Sequence, residues 1–340
     1  MRRILVVAPS WIGDTVLAQP LLKLLHARNP GLALDVLAPR WTFPLLERMP
    51  EVRQAILSPF QHGDLLLGER RRLGRALAAG GYDQAIVLPN TFKSALVPLF
   101  AGIPVRTGYI GEFRHWLLND GRRLDQARLP QLAERYAALA APRGEALARP
   151  LPGPFLRVDE PARRATLDRL GLDRGRPAAA LCPGAEYGPA KRWPARYFAE
   201  LAQGFAARGC AVWLVGSAND RAIGEEIAQA ATGACRNLCG ETTLAEAIDL
   251  LASASVVVSN DSGLMHVAAA LSRPLVALYG SSSPAYTPPL SRSAQILKLD
   301  LPCSPCFQRE CPLGHFNCMV QLAPDRVLAS VDFDRIQSLK

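Results

Sequence analysis

No apolar stretch of this chain reaches the length of a membrane-spanning helix, which argues against a helical integral membrane protein. No G-x-G-x-x-G opens either half, which counts against a nicotinamide dehydrogenase. No D-x-D-type acidic pair follows a strand, so nothing provides for a divalent ion on a bound diphosphate. RNA-reading and zinc-finger motifs are missing as well, and nucleic acid is a weak option as a partner. The opening MRRILVVAPSWIGD has too short an apolar part, turning polar too soon, for a secretory signal. It reads as a first β-strand, and the cytoplasm is the expected compartment.

The chain does have size and charge. Its 340 residues, 49% of them hydrophobic, suffice for two domains with real cores. The net charge of +9 favours an anionic partner: nucleic acid, an acidic membrane surface or a phosphorylated substrate. The rival explanation is a solvated arginine-rich surface, because the arginines are scattered rather than massed.

The first half alternates. RRILVVAP, LALDVLAP, VRQAILSP, YDQAIVLPN and IPVRTGY read as strands, and DTVLAQPLLKLLHAR, WTFPLLERM, LLLGERRRLGRALAAG and FKSALVPLFAG as the helices between them. Apolar strand runs joined by helical crossovers predict a parallel sheet covered on both faces. Residues 151–177 begin dense in proline and glycine and read as a linker, with ARRATLDRLGL as a short helix inside it. The alternation then restarts with PAAALCPG, CAVWLVGS, CRNLCG, SVVVS and RPLVALYG as strands. The helix TLAEAIDLLASA takes Thr242 or Thr243 as its expected cap. The expected class is α/β, with one doubly wound domain over 1–150 and a second over 178–322, facing each other across a cleft. Residues 323–340 should form a C-terminal helix, for which packing back on the first domain is considered.

Ligands of such sheets bind outside the carboxyl ends of the strands, and polar insertions stand there. NDSGLMHVAAAL, residues 260–271, follows an apolar strand. Asp261, Ser262 and Gly263 make a strand-to-helix turn whose free N–H groups and dipole suit a phosphate. Gly263 permits close backbone approach, and Ser262 and His266 add donors. Asp261 repels phosphate, so it suits a cap or sugar hydroxyls. An ordinary Asp/Ser cap with a satisfied histidine is the plain alternative. Polar ends on several other strands favour the ligand.

CPGAEYGPAKRWP, residues 182–194, sets Lys191 before a helix starting near Pro194. There it can neutralise a diphosphate as a point charge, or simply be solvated while Trp193 anchors the loop. In GSANDRAIGEE, Asp220 stands where an acid can hold ribose hydroxyls, or equally well favour a helix dipole. In PSWIGDTV, residues 9–16, Asp14 is expected to face the cleft, where a carboxylate suits a general base. On pattern alone, a cap for a helix from Thr15 is the better fit. In the tail, Cys303, Cys306, Cys311 and Cys318 lie close together with His315 among them. Only the first pair has the C-x2-C spacing of a structural zinc site, and reduced thiols in a loop are the plainer reading.

Together these stretches resemble the ADP-heptose:lipopolysaccharide heptosyltransferases of glycosyltransferase family 9. The resemblance runs through SWIGDTVLAQPLL, LPNTFKSALVP, GAEYGPAKRWP and CRNLCGETTLAEA to SNDSGLMHVAAALSRPLVALYGSSSP and TPPLS, and is strongest toward the type II members. It implies a GT-B fold of two Rossmann-like domains. It implies inverting transfer of L-glycero-D-manno-heptose from ADP-heptose to the first heptose of the lipopolysaccharide inner core. A type I or later-core enzyme of the family, or a non-enzymatic nucleotide-binding module, are the alternatives. By matching motif, Asp14 becomes the base, with Lys191 and Asp261 around the donor's phosphates and heptose. Ser262, Gly263 and His266 become the diphosphate turn, and Asp220 a ribose ligand. Lys93, Arg106 and Arg114 are guesses for acceptor phosphates. No cofactor or catalytic metal is expected. The expected partners are ADP-heptose and a phosphorylated lipid A-core acceptor at the inner face of the cytoplasmic membrane, with no nucleic acid.

Overall fold

The computed structural model describes residues 1–338. The chain divides into a first compact unit, Met1–Pro154, and a second that begins at Phe155. Most of the expected linker therefore belongs to the second unit. Its helix Glu160–Arg169 is capped by Asp159, whose carboxylate accepts from the Ala162 amide at 3.0 Å. That helix packs on the helix Leu244–Ser253.

The first unit holds β1 (Arg3–Val7), β2 (Ala33–Ala38), β3 (Gln54–Leu57), β4 (Gln84–Val87), β5 (Val105–Tyr109) and β6 (Asp120–Arg122). They form one sheet in the order β3-β2-β1-β4-β5-β6, and every pairing is parallel. β2 and β4 are buried at every residue, and β1 at all but its first. Helices cover both faces of such strands, so they show no polar alternation. Leu5, Val7, Val87, Leu96 and Leu117 pack in its core. The long helix expected after β1 is two helices, Ile12–Leu17 and Gln19–Arg28. Pro20 has no N–H to donate back to Val16, and the ladder breaks there.

The second unit holds β7 (Ala178–Cys182), β8 (Ala211–Leu214), β9 (Arg236–Asn237), β10 (Val256–Asn260), β11 (Leu275–Leu278) and β12 (Ala294–Leu297). Their order is β12-β11-β10-β7-β8-β9, again all parallel. Trp193, Phe198, Phe205, Met319 and Ile336 lie in its core. Each such side chain stabilises the fold by roughly 1.5–3 kcal/mol. The Trp193 ring meets Phe198 edge-on at 5.0 Å, and its Nε1 donates to the Leu322 carbonyl at 2.8 Å.

The C-terminal segment corrects an expectation. It forms two helices, Pro324–Ala329 and Phe333–Ser338, and residues 339–340 of the expected single helix lie outside the described residues. Pro324–Ala329 packs on the helix Ala195–Ala206, and Phe333 meets Phe205 at 5.6 Å. Their apolar side chains complete the core of the second unit, which is the partner the sequence pattern could not name.

Each sheet reverses its winding at one place, between β1 and β4 in the first unit and between β7 and β10 in the second. The carboxyl ends of those strands open the crevice in which such sheets hold ligands.

Candidate active site

At the switch point of the second sheet, β7 runs into the loop 183–192 and β10 into Asp261 and Ser262. The two loops are pinned together by Asn260, which is fully buried. Its Nδ2 donates to the Pro183 carbonyl at 2.7 Å, and its Oδ1 accepts from the Trp193 amide at 3.1 Å. Sequence reasoning assigned Asn260 no role. Its only signal was a polar residue at the end of an apolar strand. Thus fixed, the 3-10 turn Pro189–Lys191 brings Lys191 Nζ to Asp261 Oδ2 at 2.6 Å. The side chains are 18% and 4% exposed, so the pair is largely withdrawn from water while the ammonium keeps an open side. Removing either partner would leave a buried charge alone, at a cost of about 3–5 kcal/mol. The Tyr187 ring stands 5.2 Å from Lys191 Nζ and adds a cation–π contact.

The helix Gly263–Ala270 starts beside this pair, with Ser262 at its N-cap position and no side-chain cap bond. Ser262 Oγ instead lies 3.2 Å from Ser259 Oγ. The first-turn amides therefore take no side-chain cap, and together with the Lys191 ammonium they form a donor-rich corner suited to a diphosphate. His266 lies one turn into this helix and is 4% exposed, with Nδ1 unpartnered. Burial pushes its pKa down to about 4; Asp261 pulls it up and Lys191 pushes it further down. At neutral pH it is an uncharged imidazole that adds no positive charge to the corner.

Asp220, for which a ribose ligand and a helix-dipole role were both open, makes local bonds. It is 7% exposed, and its Oδ2 accepts from the Ser217 amide at 2.9 Å and from Ser217 Oγ at 2.8 Å. Gly184 packs so closely on it that a Cβ there would lie 2.5 Å from the carboxylate. The carboxylate caps the turn Ala218–Asp220 and is covered on one side, a local role at a helix start of the kind the helix-dipole alternative describes.

In the first unit, Asp14 is half-buried in the first turn of Ile12–Leu17. That helix begins at Ile12, with Trp11 at its N-cap position, so Asp14 is not the cap of a helix from Thr15. A carboxylate in a first turn is favoured by the helix dipole. Lys93 is half-buried in the 3-10 turn Phe92–Ala95, after the end of β4. Arg106 is half-buried, with Nε and Nη1 donating to the carbonyls of Leu117 and Ile103, both at 2.7 Å. Arg114 corrects its assignment as an acceptor ligand. It is fully buried and donates to the carbonyls of Pro89, Thr91 and Tyr109 and to Asn90 Oδ1. Desolvation lowers its pKa to about 10, with Glu112 pulling it back up. Its guanidinium organises the loops after β4 and β5 and is closed to a phosphate.

All eight cysteines are free thiols. Among the described residues no helix is long and apolar enough to cross a membrane.

Comparison with known proteins bears on the family and the fold. Residues 70–317 match the family glycosyltransferase family 9 (heptosyltransferase). The chain is 49% identical over 339 residues to lipopolysaccharide heptosyltransferase 2 of Escherichia coli (strain K12), covering 97% of each. It is also 49% identical over 310 residues to lipooligosaccharide heptosyltransferase 2 of Haemophilus influenzae, covering 87% of this chain and 88% of that one. Among solved structures it resembles the E. coli ADP-heptose lps heptosyltransferase II, with a TM-score of 0.88, 46% identity and complete coverage of both chains.

Proposed function

Because the chain belongs to glycosyltransferase family 9, the heptosyltransferases, we propose that it transfers heptose from ADP-heptose to the first heptose of the lipopolysaccharide inner core. It is a glycosyltransferase with two all-parallel α/β units, as the GT-B fold has. The observation that carries the donor assignment is the Lys191–Asp261 pair, held at 2.6 Å at the switch point of the second sheet.

In this reading the diphosphate of the donor lies against Lys191 and the first-turn amides from Gly263 onward. Asp261 holds the ammonium in place and accepts from heptose hydroxyls. Asp14 takes the proton of the acceptor hydroxyl as its oxygen attacks the anomeric carbon. The bond from that carbon to the phosphate oxygen breaks, and ADP leaves with the electron pair. Attack opposite the leaving group inverts the carbon. Lys191 and the amides stabilise the negative charge that grows on the departing diphosphate, as preorganised donors do. His266, neutral under these conditions, adds no charge beside Asp261.

The acceptor is a phosphorylated lipid, and two features support its delivery at a membrane surface. One is the net charge of +9. The other is a set of large apolar side chains left in solvent in the first unit: Phe113 is 84% exposed, Trp116 61%, and Leu65, Leu66 and Leu67 between 50% and 52%. Cationic surface with exposed aromatic and aliphatic groups suits peripheral binding to anionic lipid.

The direct test incubates the purified protein with ADP-heptose and truncated acceptors that carry one or no heptose. Transfer to the one-heptose acceptor alone is the expected result; transfer only to the heptose-free acceptor would reassign the enzyme within its family. Asp14→Asn should fold normally and lose at least about a hundredfold in transfer. Near-normal turnover in that variant would remove Asp14 from the mechanism.

A further inference from the structure

From Lys298 to Asn317 not one residue is buried, and no helix or strand forms between β12 and Asn317. Phe307 is 50% exposed and Leu313 61%. Loops this long without regular structure are uncommon in compact domains unless they serve a function, and beyond Leu299 and Leu301, which pack against the core of the second unit, this one is largely in solvent. Yet it is tied into the second unit by hydrogen bonds to main-chain carbonyls. The Phe307 amide donates to the Ser281 carbonyl at 2.6 Å, and Ser304 Oγ donates to the Gly280 carbonyl at 2.7 Å. The Arg309 carbonyl accepts from the Ala190 amide at 3.0 Å, and the Phe307 carbonyl from Tyr187 Oη at 2.8 Å. The last two bonds go to the loop that carries Lys191.

The loop also collects thiols. Cys303, Cys306, Cys311 and Cys318 all line one small cavity of about 20 Å³, with His315 and Ser281 also on its wall. That is room for one water-sized body. The other four cysteines, Cys182, Cys210, Cys235 and Cys239, are elsewhere in the unit. Cys311 Sγ accepts the Phe316 amide at 3.4 Å, a bond that a thiolate makes better than a thiol because charge strengthens acceptors. His315 Nδ1 already accepts the Asn317 amide at 3.0 Å, which leaves the four sulfurs as the donor set. Phe307, directly after Cys306, and Phe316 both have left-handed backbone, at φ +56° and +50°. Such outliers in bulky residues persist only where the surroundings enforce them. Among the described residues no three His, Cys, Asp or Glu side chains stand in ligating positions, so the thiols border the cavity without closing on its centre.

We propose that Cys303, Cys306, Cys311 and Cys318 draw in around a single thiophilic metal ion, forming a tetrathiolate structural site that fastens this loop against the Lys191 loop. Four sulfurs around one centre select a tetrahedral ion, zinc or iron. On binding, each thiol gives up its proton to solvent and no electrons are transferred. The site is structural, touches no reacting group of heptose transfer and leaves no open coordination position. Its existence does not depend on the proposed donor assignment; only its effect on donor affinity does.

The experiment uses the full-length protein, purified without chelator and without a metal-affinity step. Elemental analysis should find about one equivalent of zinc or iron per chain. The absence of colour or a visible thiolate-to-iron band tells the two apart, and either metal supports the site. The protein is then stripped of metal under reducing conditions and titrated with cobalt(II). A one-to-one end point should appear, with a near-ultraviolet thiolate charge-transfer band and the strong visible bands of tetrahedral cobalt. Cys303→Ser with Cys306→Ser should abolish those bands and make residues 298–317 sensitive to protease. Protein that carries no stoichiometric metal and gives no thiolate–cobalt band would overturn the proposal. So would recovery of the four cysteines as disulfides from freshly isolated protein. If ADP affinity is unchanged in a metal-free protein whose loop has become protease-sensitive, the metal site stands and the coupling to Lys191 falls.

Discussion

Protonation of His266 should destabilise the second unit, and the size of the effect follows from where the ring lies. The imidazole is 4% exposed, and burial holds its pKa at about 4 against an ordinary 6.5. Between those two values the unfolded chain binds a proton that the folded chain excludes. Stability therefore falls as pH drops through that window and becomes flat, for this group, below about 4. A shift of this size corresponds to about 3 kcal/mol when the window has been fully crossed. Carboxylates also titrate in acid, so the measurement must be a difference. His266→Gln removes the titrating ring and leaves those carboxylates. Denaturant unfolding of both proteins, at steps from pH 7 to pH 4, gives two stability curves whose separation changes only through His266. Tryptophan fluorescence reports the right unit: Trp193 and Trp213 are 1% and 4% exposed, whereas Trp11, Trp41 and Trp116 are already 50%, 52% and 61% exposed. The fixed cost of the substitution cancels, since the slope is read. The wild-type curve should fall toward the variant's by about 3 kcal/mol across the window. Parallel curves would show that His266 takes up its proton in the folded state without penalty, and that it is not the neutral buried ring described above.

Two substitutions test the donor corner. Lys191→Met should weaken ADP binding and also destabilise the fold, because Asp261 is left buried without a counter-charge. Adding Asp261→Asn should restore much of the stability and none of the ADP affinity, as followed by urea denaturation and calorimetric titration; recovery of both would mean that Lys191 serves only as Asp261's partner. Asp220→Ala should cost about 1 kcal/mol, the usual worth of a cap, with ADP affinity unchanged. A large loss of ADP affinity in the folded variant would return Asp220 to the ribose.

The strands read most plainly from sequence are those buried on both faces, although the exposed edge strands β3 and β9 were read as well. β2, β4, β7 and β10 are buried throughout and show as unbroken apolar runs. β6 and β12, the other two edge strands, escaped, reading DGR and AQIL. An edge strand buries little, so what makes it a strand is its neighbour's exposed ladder, not its own residues. The helix Leu132–Ala137 escaped for a related reason. It is short, and its start is marked by a reciprocal bond between Gln131 and Glu134, a polar signal easily taken for loop. The helix Leu244–Ser253 shows the opposite case: Thr243 and Glu246 make the same box before a long apolar helix, and the cap was legible.

The proposed donor corner was legible by residue type and not by pairing. A lysine after β7 and an aspartate after β10 each look ambiguous alone, and their neutral alternatives were sound. What joins them is that β7 and β10 are adjacent and in register, with Cys182 opposite Ser259. That adjacency depends on strand order, which local pattern does not encode. The local bonds of Asp220 did have a signal in the sequence, since Ser217 and Asp220 have the spacing of a capping box. Arg114 had no such warning. Its partners are mostly main-chain carbonyls, and a carbonyl is present at every residue, so no side-chain pattern marks a buried arginine's site. The same reasoning explains why charge alone misleads at a polyanion site. An arginine whose donors all meet carbonyls is structural however basic the chain. A lysine held by one carboxylate, with its other face open, is the group that can take a phosphate.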